Sequence, residues 1–532
     1  MPSTLVLALT TLAIASAGYW IAKIIALRGF YRTVPCPPHS FVWGHLKLID
    51  EYNKKFPPET ALPAVLTQIN QDFNLPDIWY LDLWPFGPQF VMCSAPDAAA
   101  MPTTIQPMEQ APVVEEYFGR NLGKGFMEVT NGPTWKELHH MIAPALTPAA
   151  TRTYHEMIVE EAKVFYDQLQ KWAAKDEPVN LIDLASRYTY DVINRVFYGD
   201  SGERANAQTT HCQFLDDLSR LSEHILVYTL TMNPLKKRSV LKQMDGIVAR
   251  MEREVEDRAN ARFAVLRREE DLSEKLSPGT ILDRMLAARA QSGKPLDDRL
   301  MGLVRDNAKG VVAAGFNTTA DTLVNAFILL AAFPDILAKM RDEHTHVFSP
   351  SFDETLSLLR SNPNLVKNLE YTTAFIHETL RIFPVGNSVR KPPKEIKSFT
   401  YKSKTYPIRD HIFMVLTHAM HHDPSIFPEP KRCLPERHLP LSSPPYPRSA
   451  YRPFERGPRS CLGSTLAVEE MRIALLMVAR WFDFEHLVHG KNEVPLARFT
   501  DLDTKIGDAA FPIQRFTIGP RAPVEMKLTR RM

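Results

Sequence analysis

Between His421 and Ser460 lie ten prolines, at positions 424, 428, 430, 435, 440, 444, 445, 447, 453 and 458. Proline fixes φ and has no N–H to donate, so neither a regular helix nor a central strand survives this density. A long irregular stretch inside a compact body is usually functional. This one leads directly into Cys461, after which Leu462–Glu485 has a strong helix pattern. Cys461 therefore sits between a Pro/Gly turn and a helix start, where backbone N–H groups stabilise a thiolate. The whole chain holds 42 Pro and only 22 Gly in 532 residues, which excludes a collagen-like or Gly-rich linker protein. At about 100–200 residues per domain, length alone predicts two to four domains or one unusually large one. Hydrophobic residues make up 45% and charged residues 23%, enough to bury a large core. A net charge of +2 offers no basic footprint for nucleic acid. Five widely spaced cysteines without a C-x-x-C pair speak against a disulfide framework or a zinc ribbon.

The N-terminal stretch from Ser3 to Ala22 carries no charge over 20 residues. At 1.5 Å per residue it covers about 30 Å, the thickness of a hydrocarbon core. Lys23 lies near one end, where its stem can snorkel. Arg28 and Arg32 follow, and the positive-inside bias then places the rest of the chain in the cytosol. A cleaved signal peptide is the competing reading, but the stretch lacks a basic leader and exceeds the usual apolar length. Pro35-Cys36-Pro37-Pro38 comes next and reads as a stiff spacer holding a globular body off the membrane. The expected division is an anchor over 1–30, a proline-rich linker over 31–45 and a body over 46–532.

Within the body, Ile78–Leu83 and Phe90–Cys93 are short apolar runs that predict a small sheet. Residues 135–480 read as mostly helical. Residues 236–275 are dense in mixed charge, the mark of a solvated helix face. The longest helix is expected from about Asp297 to Phe333, with Pro334 ending it. Its small apolar run Val311–Gly315 is followed by Asn317, Thr318 and Thr319. Polar groups in the middle of an apolar helix are costly unless satisfied or used, so this helix is expected to pass a buried ligand.

The cysteine segment runs Phe454-Glu455-Arg456-Gly457-Pro458-Arg459-Ser460-Cys461-Leu462-Gly463. Gly457 and Gly463 allow turns and close approach to something bulky. Arg459 is a fixed positive charge suited to a carboxylate. A nucleophilic cysteine and a buried inert thiol are the competing readings of Cys461. The segment resembles F-x-x-G-x-R-x-C-x-G of the cytochrome P450 family at every fixed position. Glu378-Thr379-Leu380-Arg381 is similar to the family's E-x-x-R, and Pro435-Glu436-Arg437-His438 to its P-E-R-F, with His438 in place of the aromatic. Arg381 also stands where the second histidine of a zinc H-E-x-x-H site would be. Ala314–Thr319 resembles A-G-x-[D/E]-T-T, and Trp135–His139 resembles W-x-x-x-R with histidine in place of arginine.

The resemblance implies one large, mainly α domain with a minor β region, the cytochrome P450 fold, on an N-terminal transmembrane helix. It implies haem b with Cys461 as the axial ligand to iron. Phe454 and Arg459 would lie against the cofactor, and Trp135, His139 and Arg390 would face its propionates. Glu378, Arg381 and Arg437 would form a structural triad. A thiolate ligand pushes electron density onto iron and favours O–O cleavage, so the implied activity is oxygen insertion into a lipophilic small molecule. Electrons would come from NADPH through NADPH-cytochrome P450 reductase, since no flavin or nicotinamide fingerprint is present. The family usually places an acid where this chain has Asn317, and an amide cannot ionise. Thr318 is then expected to serve bound oxygen through water, with Asp321 on the same helix face as a helper. Two alternatives remain: a haem-thiolate rearrangement or desaturation enzyme, and a non-catalytic haem binder.

Phe118, Phe126, Phe316 and Val385-Gly386-Asn387 are candidate substrate contacts, although core packing explains each aromatic equally well. His418, His421, His422 and Asp423 look like metal ligands but match an H-x-D-P run of the family. Gly119–Lys124 is one residue short of a phosphate-binding loop. The anchor and motif variants resemble fungal microsomal members, which implies the endoplasmic reticulum membrane and a polyketide or terpenoid substrate.

Overall fold

One helix, Asp298–Ala332, runs through the middle of the protein. Asp297 caps it by accepting from the Leu300 amide at 2.8 Å, and Pro334 follows its last residues. It is buried on almost every side, from Leu300 to Leu330, as expected of a helix apolar all round. The computed structural model describes residues 2–199, 206–231, 233–268, 279–440, 446–487 and 492–531.

Helices Leu181–Tyr198, His155–Lys175, Glu370–Ile382 and Ser464–Val478 pack around this central helix or around each other. Two glycines permit the closest approaches. A Cβ on Gly310 would strike the Phe126 ring, and one on Gly315 would strike the Ile193 side chain. Helix Pro234–Leu266 buries Val240, Met244, Ile247, Met251, Val255, Ala259, Phe263 and Leu266, a stripe at helical spacing. Its other face carries the mixed charges; positions 269–275 of that charged run lie outside the described residues.

Five strands form the main sheet: β1 (Ile78–Asp82), β2 (Gln89–Cys93), β3 (Glu109–Gln110), β4 (Ser388–Lys391) and β5 (Ile412–Val415). Their order is β1-β2-β5-β4-β3. Only the β2–β5 pair is parallel. The β3–β4 register sets Gln110 opposite Arg390, which matters for the site. The predicted runs at 78–83 and 90–93 thus form β1 and β2.

The helix expected over Leu462–Glu485 stops at Val478, and Phe482–His486 is a strand paired with Glu525–Arg530. The alternation Phe-Asp-Phe-Glu has the period of a strand. Between His421 and Cys461 the one regular element among the described residues is the short helical turn Pro435–His438. Pro444 and Pro445 lie outside them. A contiguous core reaches from Leu48 to Leu528, with a smaller cluster behind the main sheet. The chain is therefore one large, mainly helical domain, because a single core leaves no boundary for a second.

Pro2–Tyr31 is one continuous helix, and Thr10–Tyr31 is long and apolar enough to cross a membrane. Phe30 and Tyr31 at its end are buried. The proline-rich residues do not bridge open space as a spacer would. The Pro35 carbonyl accepts from the Tyr80 amide of β1 at 2.9 Å, and His45 N donates to the Asp82 carbonyl at 3.0 Å. An edge strand leaves backbone groups unpaired, and this segment satisfies those of β1.

Candidate active site

The cysteine loop is built by its turns. The Cys461 amide donates to the Phe454 carbonyl at 2.9 Å, and Ser460 N to the Gly457 carbonyl at 3.0 Å. Gly457 has φ +87°, and a Cβ there would run into the Thr103 backbone carbonyl. Left-handed backbone alone costs a non-glycine residue about 1–2 kcal/mol. Gly457→Ala is therefore expected to lower the thermal unfolding midpoint and the yield of haem-loaded protein; an unchanged midpoint would show that the loop simply moves. Beyond Cys461 the helix Ser464–Val478 begins. Burial pushes the Cys461 thiol up, while the amides of Gly463 and Ser464 pull it down.

Cys461 is accessible to solvent yet surrounded closely enough for burial to dominate its ionisation. Both hold for a group that lines an internal space. Ala314 is likewise exposed, although Ala313 and Phe316 beside it in the central helix are each 1% exposed.

A second cluster carries the positive charge. The Arg459 guanidinium lies over the Trp135 ring at 4.6 Å. Its Nη2 donates to the Thr130 carbonyl at 2.8 Å and to Asn131 Oδ1 at 2.7 Å. Asn131 also takes the Gln110 amide at 2.9 Å, and Gln110 Oε1 accepts from Arg390. The two arginines therefore converge through two side-chain amides. Burial lowers Arg459 to about 10, and its buried Nη1 has no hydrogen-bond partner among the described residues. An orphaned guanidinium nitrogen points to a carboxylate ligand. The His139 ring lies tilted beside Trp135, with ring centroids 5.1 Å apart. Phe454 contributes its carbonyl to Cys461 and packs its ring against the core.

Sequence reasoning missed Glu128. Its side chain is exposed by surface area, yet burial pushes its carboxyl up, with Arg390 and Arg459 pulling it down. Gln110 donates to it. The signal was a lone acid inside the apolar stretch Phe126–Val129.

Glu378, Arg381 and Arg437 meet in the interior. Arg381 Nε and Nη2 each donate to a Glu378 oxygen at 2.8 Å, and both residues are fully buried. Arg437 Nε donates to Glu378 Oε1 at 3.1 Å. The remaining guanidinium donors hold the meander, since Arg381 reaches the carbonyls of His421, Pro430 and Arg432, and Arg437 those of Pro428 and Glu429. His438 joins them with Nε2 2.9 Å from Glu378 Oε2 and Nδ1 2.6 Å from the Tyr446 hydroxyl. Burial keeps His438 neutral by lowering its pKa. A neutral ring satisfies both contacts by donating from Nε2 and accepting at Nδ1.

On the central helix, Asn317 Nδ2 donates to the Ala313 carbonyl at 3.2 Å and Thr318 Oγ1 to the Ala314 carbonyl at 2.8 Å. Asp321 is 2% exposed and held by Arg515 at 2.5 Å and Thr517 at 2.7 Å. Its carboxylate thus ties the C-terminal segment to the helix. Phe316 packs edge-on to Tyr190 in the core, and Phe126 packs on Gly310. Phe118 is half-buried against Phe516. Asn387 Oδ1 and the neighbouring Ser388 Oγ are buried with no partner among the described residues. The four-residue cluster at 418–423 is occupied by protein contacts: His418 with Thr67, His421 with the Arg381 carbonyl, His422 with the His418 carbonyl, and Asp423 with Ser425.

The donor set fits a planar iron cofactor bearing carboxylates: one accessible thiol on helix N-terminal amides, two converging guanidiniums with a free donor, and an aromatic ring beside them. Known proteins agree. Cytochrome P450 matches over residues 88–502. The chain is 28% identical over 507 residues to cytochrome P450 monooxygenase acrF of Aspergillus aculeatus, covering 89% of this chain and 98% of that one. It is 26% identical over 477 residues to monooxygenase ptmG of Penicillium ochrochloron, covering 88% and 86% of the two chains. It is 25% identical over 531 residues to monooxygenase polC of Polytolypa hystricis, covering 96% and 93%. With a match over most of its length and a cysteine loop, arginine pair and buried Glu–Arg cluster that suit haem, this chain belongs to the cytochrome P450 family and is a haem-dependent monooxygenase.

Proposed function

We propose that this protein inserts one oxygen atom of O2 into a lipophilic secondary metabolite of polyketide or terpenoid type. Electrons come from NADPH through NADPH-cytochrome P450 reductase. Residues 1–30 cross the endoplasmic reticulum membrane, residues 31–45 connect, and residues 46–532 form the catalytic domain on the cytosolic side. The observation that carries the chemistry is the accessible Cys461 thiol on the amides of Gly463 and Ser464.

When bound, haem with a thiolate ligand activates dioxygen for oxygen transfer. The chain's own residues do the rest. Arg390 and Arg459 would hold carboxylates of the cofactor, and Trp135 supports the Arg459 plane. Thr318 keeps its hydroxyl proton on the Ala314 carbonyl at rest. Rotation about its side chain turns that donor toward the accessible face at Ala314. Asn317 supplies hydrogen-bond donors but no ionisable proton, so proton delivery runs through the Thr318 hydroxyl and water. Asp321 serves this step only by steadying the helix, because Arg515 and Thr517 occupy its oxygens. Asn387 and Ser388 offer polar handles to a mostly apolar substrate.

Microsomes containing the protein and reductase, offered candidate lipophilic substrates and NADPH, are expected to yield products that carry one atom of isotopically labelled O2. Thr318→Ala is expected to keep NADPH consumption while product per NADPH falls about a hundredfold or more, the low end of one general acid–base contribution. Unchanged coupling removes Thr318 from the proton path. The amide at Asn317 favours a second reading, rearrangement or desaturation. Product without labelled oxygen would select it.

A further inference from the structure

Glu128 brings a negative charge into a site built to hold anions. Its segment is fixed at both ends. The Gly125 amide donates to Asp306 Oδ2 at 2.8 Å and the Met127 amide to Asn307 Oδ1 at 3.0 Å, which ties the segment to the central helix. Asn307 Nδ2 returns a bond to the Gly125 carbonyl at 2.8 Å. At the other end the Thr130 carbonyl takes Arg459 Nη2 at 2.8 Å. Phe126, Val129 and Thr130 are buried, whereas Glu128 among them is exposed. Burial is nevertheless the largest influence on its carboxyl. A side chain with both properties lines an internal space. Cys461 has the same two properties, and repulsion from Glu128 adds to the burial that raises its thiol. The carboxylate and the thiol therefore border one space.

Gln110 decides what the carboxylate can bind. Its Oε1 accepts from Arg390 Nη1, and its Nε2 donates to Glu128 Oε1. The β3–β4 register sets Gln110 opposite Arg390 and so fixes this order. The amide stands between acid and guanidinium. Arg390 and Arg459 act on Glu128 through space, without a hydrogen bond, and Arg459 Nη1 keeps its free donor. Glu128 thus leaves the arginines open to the cofactor's carboxylates. Its second oxygen, Oε2, has no hydrogen-bond partner among the described residues. Haem b carries two carboxylates, and the two arginines would balance them. The charge of Glu128 is then unmatched, and an unmatched charge away from water is costly unless a donor reaches it. The substrate is the component left to bring that donor.

We propose that Glu128 determines specificity: its free Oε2 accepts a hydrogen bond from a hydroxyl or an ammonium group on an otherwise lipophilic substrate. The proposal rests on the reading that this space takes a lipophilic metabolite for oxidation. Gln110 acts as the positioning residue, since it holds Oε1 and leaves Oε2 open.

The test uses the full-length haem protein in lipid nanodiscs and three probes of one skeleton: farnesol, farnesylamine and farnesyl methyl ether. Perturbation of the haem Soret band, in either direction, reads each Kd. The wild type is expected to bind the alcohol, the amine or both about tenfold or more tighter than the ether, the size of one charge-assisted hydrogen bond. An alcohol preference identifies a neutral donor, and preference for the amine alone identifies a cation. Glu128→Gln turns the free acceptor into an N–H donor, because Gln110 keeps the remaining oxygen, and it is expected to erase the preference with an unchanged ferrous-CO spectrum. Glu128→Leu is expected to erase it as well. An amine preference that survives both substitutions reports nitrogen on iron and overturns the proposal, as does loss of haem from Glu128→Gln. Equal binding of all three probes by the wild type overturns the role of Glu128 and leaves the lipophilic reading standing, whereas binding of none overturns both. A donor preference without labelled oxygen in any product upholds Glu128 and defeats the oxidation reading.

Discussion

Cys461→Ser is expected to abolish the red-shifted Soret band of the reduced protein with CO, and product formation with it. The loop geometry survives the change, since the amides of Gly463 and Ser464 and the Phe454 carbonyl are backbone groups. What is lost is the sulfur that, under the proposed ligand assignment, would donate electron density to iron. No other described cysteine is placed to replace it. Burial drives Cys93 to about 12 and Cys433 well above its ordinary value. Cys36 is pushed to about 11 and bonds to the Tyr31 carbonyl at 3.2 Å, and the Cys212 thiol donates to the Tyr190 hydroxyl at 3.5 Å. The comparison of Cys461→Ser with Cys433→Ser therefore discriminates a ligand from a packing thiol. A red-shifted band that persists in Cys461→Ser would refute the ligand assignment.

Glu378→Ala is expected to leave almost no folded haem protein. Removing one partner of a buried ion pair costs about 3–5 kcal/mol, because the other charge is left unpaired. Here the loss falls on Arg381, which is fully buried, and on the carbonyls that Arg381 and Arg437 hold together. Those carbonyls belong to residues 421–432, the start of the stretch that leads to Cys461. Arg381→Lys is expected to fail nearly as badly, because an ammonium cannot reproduce the planar two-point contact. His438→Phe restores an apolar ring but loses two hydrogen bonds, one of them to the Glu378 carboxylate, an effect of about 2–4 kcal/mol. Soluble yield, haem content and the denaturation midpoint check all three.

Glu378 also predicts a pH dependence. Burial alone would raise its carboxyl, but Arg381 and the hydrogen bonds of Arg381 and His438 outweigh burial and hold it far below the usual range. A depressed folded pKa gives stability that is present above the unfolded carboxylate value of about 4.3 and lost as pH falls toward the folded one. The protein is thus expected to keep this contribution through neutral pH and lose it only in strong acid.

Much of this site was legible in one dimension. Short motifs report on contacts that the backbone makes locally: Cys461 on its turn, Glu378 and Arg381 one helical turn apart, Thr318 beside Asn317. Long-range contacts left weaker traces. Gln110 and Arg390 are 280 residues apart, and only the β3–β4 register brings them together. Phe316 stood as a candidate substrate contact, and its packing on Tyr190 turned it to the core. Asp321 shares a helix face with Asn317, but Arg515 and Thr517 arrive from a distant segment and take its carboxylate. Helix periodicity gives a residue's face and says nothing of what packs there.

The sequence by itself determined the family, the helical class and the apolar N-terminal helix, and it singled out Cys461 as the proposed ligand, because each rests on residue identity and short spacing. Tertiary structure alone decided which charges pair, that Glu128 joins the arginine cluster, and that Arg28 pairs with the buried Asp82. Those outcomes depend on burial. Desolvation makes an unpaired charge too costly to leave alone, and the partner that relieves it is chosen by packing across the fold.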